Sequence, residues 1–277
     1  MRFRKVYLEI SNICNLSCRF CPGTKRVKKA MTEAEFSALL PKLRPYTDFL
    51  YLHLMGEPLL HKNLPRFLEI AGEHGFKVIL TTNGTLLKSK QEMLLNSPAL
   101  HKINISLHAF EANDLAVSFE EYLADCFAFG KASAGKKLVV YRLWNSGGED
   151  TQNQQILDTM KSYFSNEWIV ERLGTRIADR TYLEYGDKFD WPDLAAPEGS
   201  KKIFCYGLRD QLGVLCDGTV VPCCLDHDGD LALGNLLTQD MEEILSSPRT
   251  KAIYDGFSHR EAAEELCRKC SYARRFG

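Results

Sequence analysis

The run Cys14-Asn15-Leu16-Ser17-Cys18-Arg19-Phe20-Cys21-Pro22-Gly23 follows directly on the apolar stretch Val6-Tyr7-Leu8-Glu9-Ile10, and its spacing decides how the chain is read. Three thiolates in a Cys-x3-Cys-x2-Cys pattern can hold a cubane 4Fe-4S cluster by three of its four irons, leaving the last iron open to a small molecule. An open iron implies chemistry. A zinc knuckle uses similar spacings, but a closed zinc site needs a fourth ligand, and the nearest histidine downstream, His53, lies outside any knuckle spacing.

Working outward from this loop, strand signals fall at Val6–Ile10, Phe49–Leu54, Lys77–Thr82, Lys102–His108, Lys137–Trp144 and, more weakly, Trp168–Leu173. Amphipathic helical stretches lie between them, at Thr32–Leu43 with a capping-box pattern Thr32-Glu33-Ala34-Glu35, Asn63–His74 closed by Gly75, Ser89–Leu95, Phe119–Ser133 and Gln152–Phe164. Alternation of this kind predicts an α/β fold with a parallel sheet and right-handed crossovers, whose reactive groups gather at the carboxyl ends of the strands.

The cysteine run, with aromatic Phe20 before its last cysteine, resembles the signature loop of radical S-adenosylmethionine (SAM) enzymes. That resemblance covers roughly residues 4 to 175 and implies a partial (β/α)6 barrel, a SAM-binding 4Fe-4S cluster on Cys14, Cys18 and Cys21, and reductive cleavage of SAM to a radical that takes hydrogen from substrate. Other stretches resemble family motifs in the same order. Met55-Gly56-Glu57-Pro58 is similar to the Gly-Gly-Glu-Pro element that grips the amino group of SAM, with Met55 in place of the first glycine. Thr81-Thr82-Asn83-Gly84 resembles the stretch beside SAM, and Ile105-Ser106-Leu107-His108 the segment whose serine approaches the ribose or carboxylate. Arg142 and Asn145 are the implied contacts for the SAM carboxylate and adenine edge. Taken singly, Gly-Glu-Pro and Asn-Gly are common turns; their order behind the three cysteines carries the reading.

Residues two apart share one face of a strand. Tyr7, Glu9 and Ser11, then Tyr51, His53 and Met55, then Asn104, Ser106 and His108 are therefore expected to face the barrel lumen, with Val6, Leu8, Leu50, Leu52, Ile103 and Ile105 against the helices. Tyr7, Glu9, His53 and His108 are the catalytic candidates.

A domain boundary is expected in the loop rich in Pro192, Pro197 and Gly199, giving a barrel over residues 1–198 and a small α+β domain over 199–277. Within the latter, Val214 to Cys223 reads as a hairpin turning at Asp217-Gly218, a short helix is expected at Met241–Leu245, and Cys267-Arg268-Lys269-Cys270 closes the pattern. This resembles the SPASM/Twitch module of radical SAM enzymes. Because the further cysteines of the full SPASM form are missing, the resemblance implies the Twitch form, with one auxiliary 4Fe-4S cluster on Cys205, Cys223, Cys267 and Cys270. Cys224 should point the opposite way from Cys223, while Cys126 and Cys216 read as packed small residues. A zinc ribbon is the competing reading of the same four thiols.

Composition narrows the rest. The 277 residues are 45% hydrophobic and 26% charged, with 35 basic and 36 acidic side chains, so no charge excess of the nucleic-acid-binding kind is present. No apolar stretch has signal or membrane-span length, which reads as cytoplasmic and membrane-free, and ten cysteines in a reducing compartment read as metal ligands. The first barrel strand begins by Val6, leaving no room before it for a leader-binding domain, so a small-molecule substrate is favoured. The resemblance further implies a flavodoxin or ferredoxin-type electron donor. Among compact enzymes of this build the pattern resembles queuine lyase, which cleaves a carbon–nitrogen bond to release a 7-deazaguanine base; a Twitch alcohol dehydrogenase, a SPASM peptide or sulfatase maturase and a zinc-stabilised binding module are the alternatives.

Overall fold

A computed structural model describes residues 2–164, 167–172 and 174–276. Five strands come where the alternation puts them: β1 (Lys5–Leu8), β2 (Phe49–Tyr51), β3 (Lys77–Thr82), β4 (Leu100–Ser106) and β5 (Leu138–Ser146), all parallel neighbours in chain order. Helices α1 (Glu33–Leu43), α2 (Leu64–Glu73), α3 (Leu87–Asn96), α4 (Phe119–Ala132) and α5 (Asn153–Tyr163) follow them. Val6, Leu8, Leu50, Leu52, Ile103 and Ile105 are fully buried and share one core with Phe36, Leu39 and Leu40 of α1 and Phe67 of α2. The capping box forms: the Thr32 hydroxyl accepts from Glu35 N at 3.2 Å, and the Glu35 carboxylate accepts from Thr32 N at 2.8 Å. Such a cap stabilises a helix by about 1 kcal/mol.

The sixth barrel strand departs from expectation. It is β8 (Thr181–Asp187), parallel to β5 with Arg142 opposite Glu184, and not the Trp168–Leu173 segment. Ile169–Glu171 forms β6, which with β7 (Gly174–Ala178) makes an antiparallel extension beyond β8; Leu173 lies outside the described residues. The reason is in the side chains: β6 is exposed along its length, whereas Thr181 and Leu183 of β8 bury one face as a barrel strand requires.

At the opposite edge, β9 (Gln211–Val214) pairs in parallel with β1, Lys5 through Leu8 opposite Gln211 through Val214, then turns through Asp217-Gly218 into β10 (Thr219–Val221) and on to β11 (Gly234–Asn235). One 11-stranded sheet thus runs through both parts of the chain, in the order β11-β10-β9-β1-β2-β3-β4-β5-β8-β7-β6. Short helices α6 (Met241–Ser246), α7 (Pro248–Ser258) and α8 (Glu265–Arg268) complete the C-terminal part.

Strand register stacks the inward side chains in levels. Tyr7, Tyr51, Ile79, Lys102 and Leu138 stand at one height, Thr81, Asn104, Val140 and Tyr182 at the next, and Ser106, Arg142 and Glu184 above them.

Candidate active site

The cysteine loop caps the carboxyl end of this sheet. Cys21 N donates to Cys18 O at 2.9 Å, closing a turn that presents the three thiols together, with Cys14 and Cys21 exposed and Cys18 half-buried. Cys14 Sγ accepts from Leu16 N at 3.4 Å and Cys18 Sγ from Asn113 Nδ2 at 3.1 Å. Partial burial pushes the Cys18 thiol up to about 11 against the Asn113 hydrogen bond, so a metal centre must displace its proton on binding. Zinc needs its sulfurs about 2.3 Å from a single centre, whereas cluster thiolates each take a separate iron and favour amide donors to sulfur. The loop fits a cluster.

Gly56 lies under the loop. Its φ is +77°, and a Cβ there would stand 2.3 Å from Ser11 O, so only glycine lets Glu57 N reach Ile13 O at 2.9 Å. Glu57, nearly sealed, accepts from Leu59 N at 3.0 Å, Thr82 Oγ1 at 2.8 Å and Asn83 N at 2.8 Å; burial raises its carboxyl to about 6 despite these donors. Asn83 then reaches the loop, its Nδ2 donating to Asn15 Oδ1 at 3.0 Å and lying 3.9 Å from Cys14 Sγ. Pro58 opens the one-turn helix after Glu57. The motifs at Gly56, Glu57, Pro58, Thr82 and Asn83 are thus one bonded assembly against the cysteines, and Ser106 faces the same lumen from β4. Phe20 packs on His108 with centroids 5.0 Å apart. His108 Nδ1 is 3.0 Å from Arg142 O and 3.3 Å from Trp144 N, and burial lowers it to about 4, so the ring is a neutral support behind the loop.

Two expected contacts are placed elsewhere. Asn145 falls out of phase with the inward-facing Val140 and Arg142 of β5 and faces the helical layer, where it trades hydrogen bonds with Asn153 at 3.0 and 3.1 Å and donates to Glu149 O at 2.6 Å, leaving it turned away from any adenine. Glu9, read as catalytic, is fully buried and already accepts four hydrogen bonds: Arg26 Nη1 at 2.8 Å, Arg26 Nη2 at 2.7 Å, Met55 N at 3.2 Å and Cys216 N at 3.0 Å. A carboxylate has about four acceptor sites, so Glu9 positions other elements and has none left for substrate. Cys216 is likewise more than packing, since its sulfur accepts from Arg26 Nη1 at 3.7 Å.

Below the loop, Tyr7, Tyr51 and His53 form an aromatic cluster with centroid separations of 4.9, 5.5 and 6.0 Å. Arg142 pairs with Glu184 at 3.0 Å and lies 4.5 Å over the Trp144 ring. Three buried polar atoms on lumen strands lack a partner among the described residues: His53 Nδ1, Asn104 Oδ1 and Trp144 Nε1. Orphaned groups of this kind mark where a ligand supplies the missing bonds. Sequence reasoning missed Asn113, Trp144, Glu184 and Lys102; for the last two, the inward phase of their strands was the available signal.

In the C-terminal part Cys205, Cys223, Cys267 and Cys270 line a single cavity, walled by Leu225, Phe257, Leu266 and Tyr272. Burial raises all four thiols, Cys205 to about 11. Four thiols on one apolar chamber suit a fully ligated cluster. Cys224 points the other way, its thiol hydrogen-bonded with Tyr7 and 3.9 Å from Gln211 Oε1.

Comparison with known proteins agrees with this geometry. Residues 8–125 match the radical SAM superfamily model, and residues 205–271 match SPASM, an iron-sulfur cluster-binding domain. The chain belongs to the radical SAM superfamily and carries a C-terminal SPASM domain; it is an enzyme whose cofactors are a SAM-binding 4Fe-4S cluster, SAM and auxiliary iron-sulfur. The zinc readings are thereby overturned. It is 23% identical to the S-adenosyl-L-methionine-dependent 2-deoxy-scyllo-inosamine dehydrogenase of Niallia circulans, over 97% of this chain and 93% of that protein. Over 39% of this chain and 28% of the other it is 30% identical to the Fe-coproporphyrin III synthase of Methanosarcina barkeri. Among solved structures, BtrN in complex with AdoMet and 2-DOIA superposes with a TM-score of 0.62 at 19% identity, covering 98% of this chain and 94% of that one. The AdoMet-bound anSMEcpe structure gives 0.63 at 14% identity, with 98% and 84% covered. These superpositions carry the fold. No helix among the described residues is long and apolar enough to cross a membrane.

Proposed function

We propose that the chain is a radical SAM dehydrogenase that oxidises a hydroxyl group on a small polar substrate. The observation that carries this reading is the placement of two consecutive residues: Cys223 opens into the auxiliary cavity and Cys224 stands beside Tyr7 at the lumen. Oxidising an alcohol removes two electrons, one leaving with the hydrogen atom and one needing a sink, and a four-thiolate cluster site beside the lumen provides that sink. Carbon–nitrogen cleavage of the queuine lyase kind needs no net oxidation of substrate. The end-to-end likeness to an inosamine dehydrogenase supports the same choice, so the alcohol dehydrogenase displaces queuine lyase as the reading of this site.

In this proposal Cys14, Cys18 and Cys21 hold the SAM-binding cluster, and the bound cluster and SAM supply the acceptor for the substrate hydrogen atom. Gly56, Glu57, Pro58, Thr82, Asn83 and Ser106, with Phe20, shape the SAM pocket. Cys205, Cys223, Cys267 and Cys270 hold the auxiliary cluster, and a flavodoxin or ferredoxin supplies electrons in the cytoplasm. Residues 1–198 and 199–277 are the proposed barrel and auxiliary domains, joined by the β1–β9 ladder. His53, Asn104 and Trp144 offer the polar contacts for a hydroxylated ring, and Arg142–Glu184 closes its far side.

The test is anaerobic reconstitution followed by incubation with SAM, reductant and a panel that includes 2-deoxy-scyllo-inosamine, simple cyclitols and a queuosine-type nucleoside. The proposal expects 5'-deoxyadenosine to rise with a polyol and a product lighter by two hydrogens to accumulate. Release of a free base from the nucleoside, with no polyol oxidised, would overturn it.

A further inference from the structure

Lys102 is unlike any other charged group of the lumen. It lies on the inward face of β4, level with Tyr7 and Tyr51, and among the described residues its ammonium makes no hydrogen bond and no ion pair. Lys102 is half-buried, and a lysine drawn partly out of solvent without a partner is uncommon. One level above it, Asn104 leaves Oδ1 unpartnered, and His53 and Trp144 leave two more buried polar atoms unmet in the same lumen. An unpaired amine below a set of unmet polar atoms is the arrangement expected where a hydroxylated ligand completes the bonding.

We propose that Lys102 is the proton acceptor for the substrate hydroxyl. The inference rests on the alcohol-oxidation reading above and assigns the one group that reaction still lacks. The carbon bearing the hydroxyl would give up a hydrogen atom to the acceptor that bound SAM supplies, the O–H bond would break as its proton passes to the neutral Nζ of Lys102, and the remaining electron would go to the cluster that Cys205, Cys223, Cys267 and Cys270 hold when it is bound. The carbon–oxygen bond becomes a carbonyl, and two electrons and two protons have left the substrate.

The neighbours exclude the other bases. Burial lowers His53 to about 3 and His108 to about 4, which makes both weak proton acceptors at neutral pH. It raises Tyr7 and Tyr51, so both phenols keep their protons. Glu184 is committed to Arg142. Lys102 is lowered to about 8, first by burial and then by the charge of Arg142 from β5 and Lys5 from β1, with Glu184 from β8 pulling the other way. An amine near 8 is partly unprotonated at neutral pH and matched to general-base work.

The deciding experiment has two readings. Competitive acetylation of the reconstituted protein across pH 6 to 11, with quantitation of the Lys102 peptide, measures its proton affinity without any substrate; the expected midpoint is about 8, and an ordinary lysine midpoint of about 10.4 overturns the proposal. The second uses a cyclitol deuterated at the oxidised carbon. Lys102→Met should still transfer deuterium into 5'-deoxyadenosine while carbonyl product falls by at least tenfold, and Lys102→Arg should retain binding but lose the pH limb near 8. Equal loss of deuterium transfer and product in Lys102→Met, or full product formation by it, overturns the assignment. If wild-type protein oxidises no polyol, the dehydrogenase reading fails by itself, and the acetylation midpoint still reports on Lys102.

Discussion

Glu9 and Arg26 meet fork to fork at 2.7 and 2.8 Å, in the place where β1, the segment trailing the cysteine loop and the β9–β10 hairpin come together. The carboxylate is fully buried and its remaining sites take the backbone N–H groups of Met55 and Cys216. One side chain thereby ties the Gly-Glu-Pro element to the C-terminal hairpin. Removing one partner leaves the other charge buried and uncompensated. Arg26→Met should cost about 3–5 kcal/mol in urea unfolding, and the double variant with Glu9→Gln should cost less than the sum of the singles.

Gly56→Ala should fail at the cluster. The new Cβ meets Ser11 O at 2.3 Å in a left-handed conformation, and relief requires moving the loop that carries Cys14. Iron content and the charge-transfer absorbance after reconstitution should fall while far-UV circular dichroism stays near wild type; full iron loading would contradict this.

Consecutive cysteines should behave oppositely. Cys223→Ala removes a thiol from the auxiliary cavity and should lower bound iron from about eight to about four per chain, whereas Cys224→Ala, whose thiol lies beside Tyr7, should leave the iron count unchanged. Iron and sulfide assays on anaerobically purified protein decide between these outcomes.

Asn113 is a tuning residue in this geometry. Its amide donates to Cys18 Sγ at 3.1 Å, and hydrogen bonds to cluster sulfurs stabilise the more negative reduced state. Asn113→Leu should shift the potential of the SAM-binding cluster to more negative values, read by redox titration with electron paramagnetic resonance.

Lys102 also sets a pH dependence of stability. Its native proton affinity is lowered to about 8, so between about 8 and 10.4 the unfolded chain holds more protons than the folded one, and stability rises with pH across that window. Relative to Lys102→Met, wild type should gain up to about 3 kcal/mol between pH 8 and pH 10.5. A flat difference would mean the amine is not perturbed.

Much of this was legible in the chain because it is local. Three cysteines in ten residues, Gly56 before Glu57 and the capping box at Thr32 each act over a few positions, and period-two alternation alone puts Tyr7, His53 and Asn104 inside the barrel. What was hidden depends on partners remote in sequence. Asn113 reaches Cys18 across 95 positions, and no pattern near either residue announces it. The buried state of Glu9 follows from Arg26 and from a hairpin more than 200 residues away. The sixth strand was misassigned because Trp168–Leu173 and Thr181–Asp187 both carry strand signals, and only burial against β5 tells the barrel strand from the outer one. Asn145 was misplaced for want of one position of phase along β5.

Because β9 lies against β1, the first strand of the chain is an interior one only while the last quarter of the chain is folded. A protein cut after residue 198 would present a bare row of N–H and C=O groups along Lys5–Leu8, an edge that recruits other chains. Synthesis therefore leaves this barrel open on one flank until Gln211–Val214 has emerged and taken its place beside Lys5–Leu8.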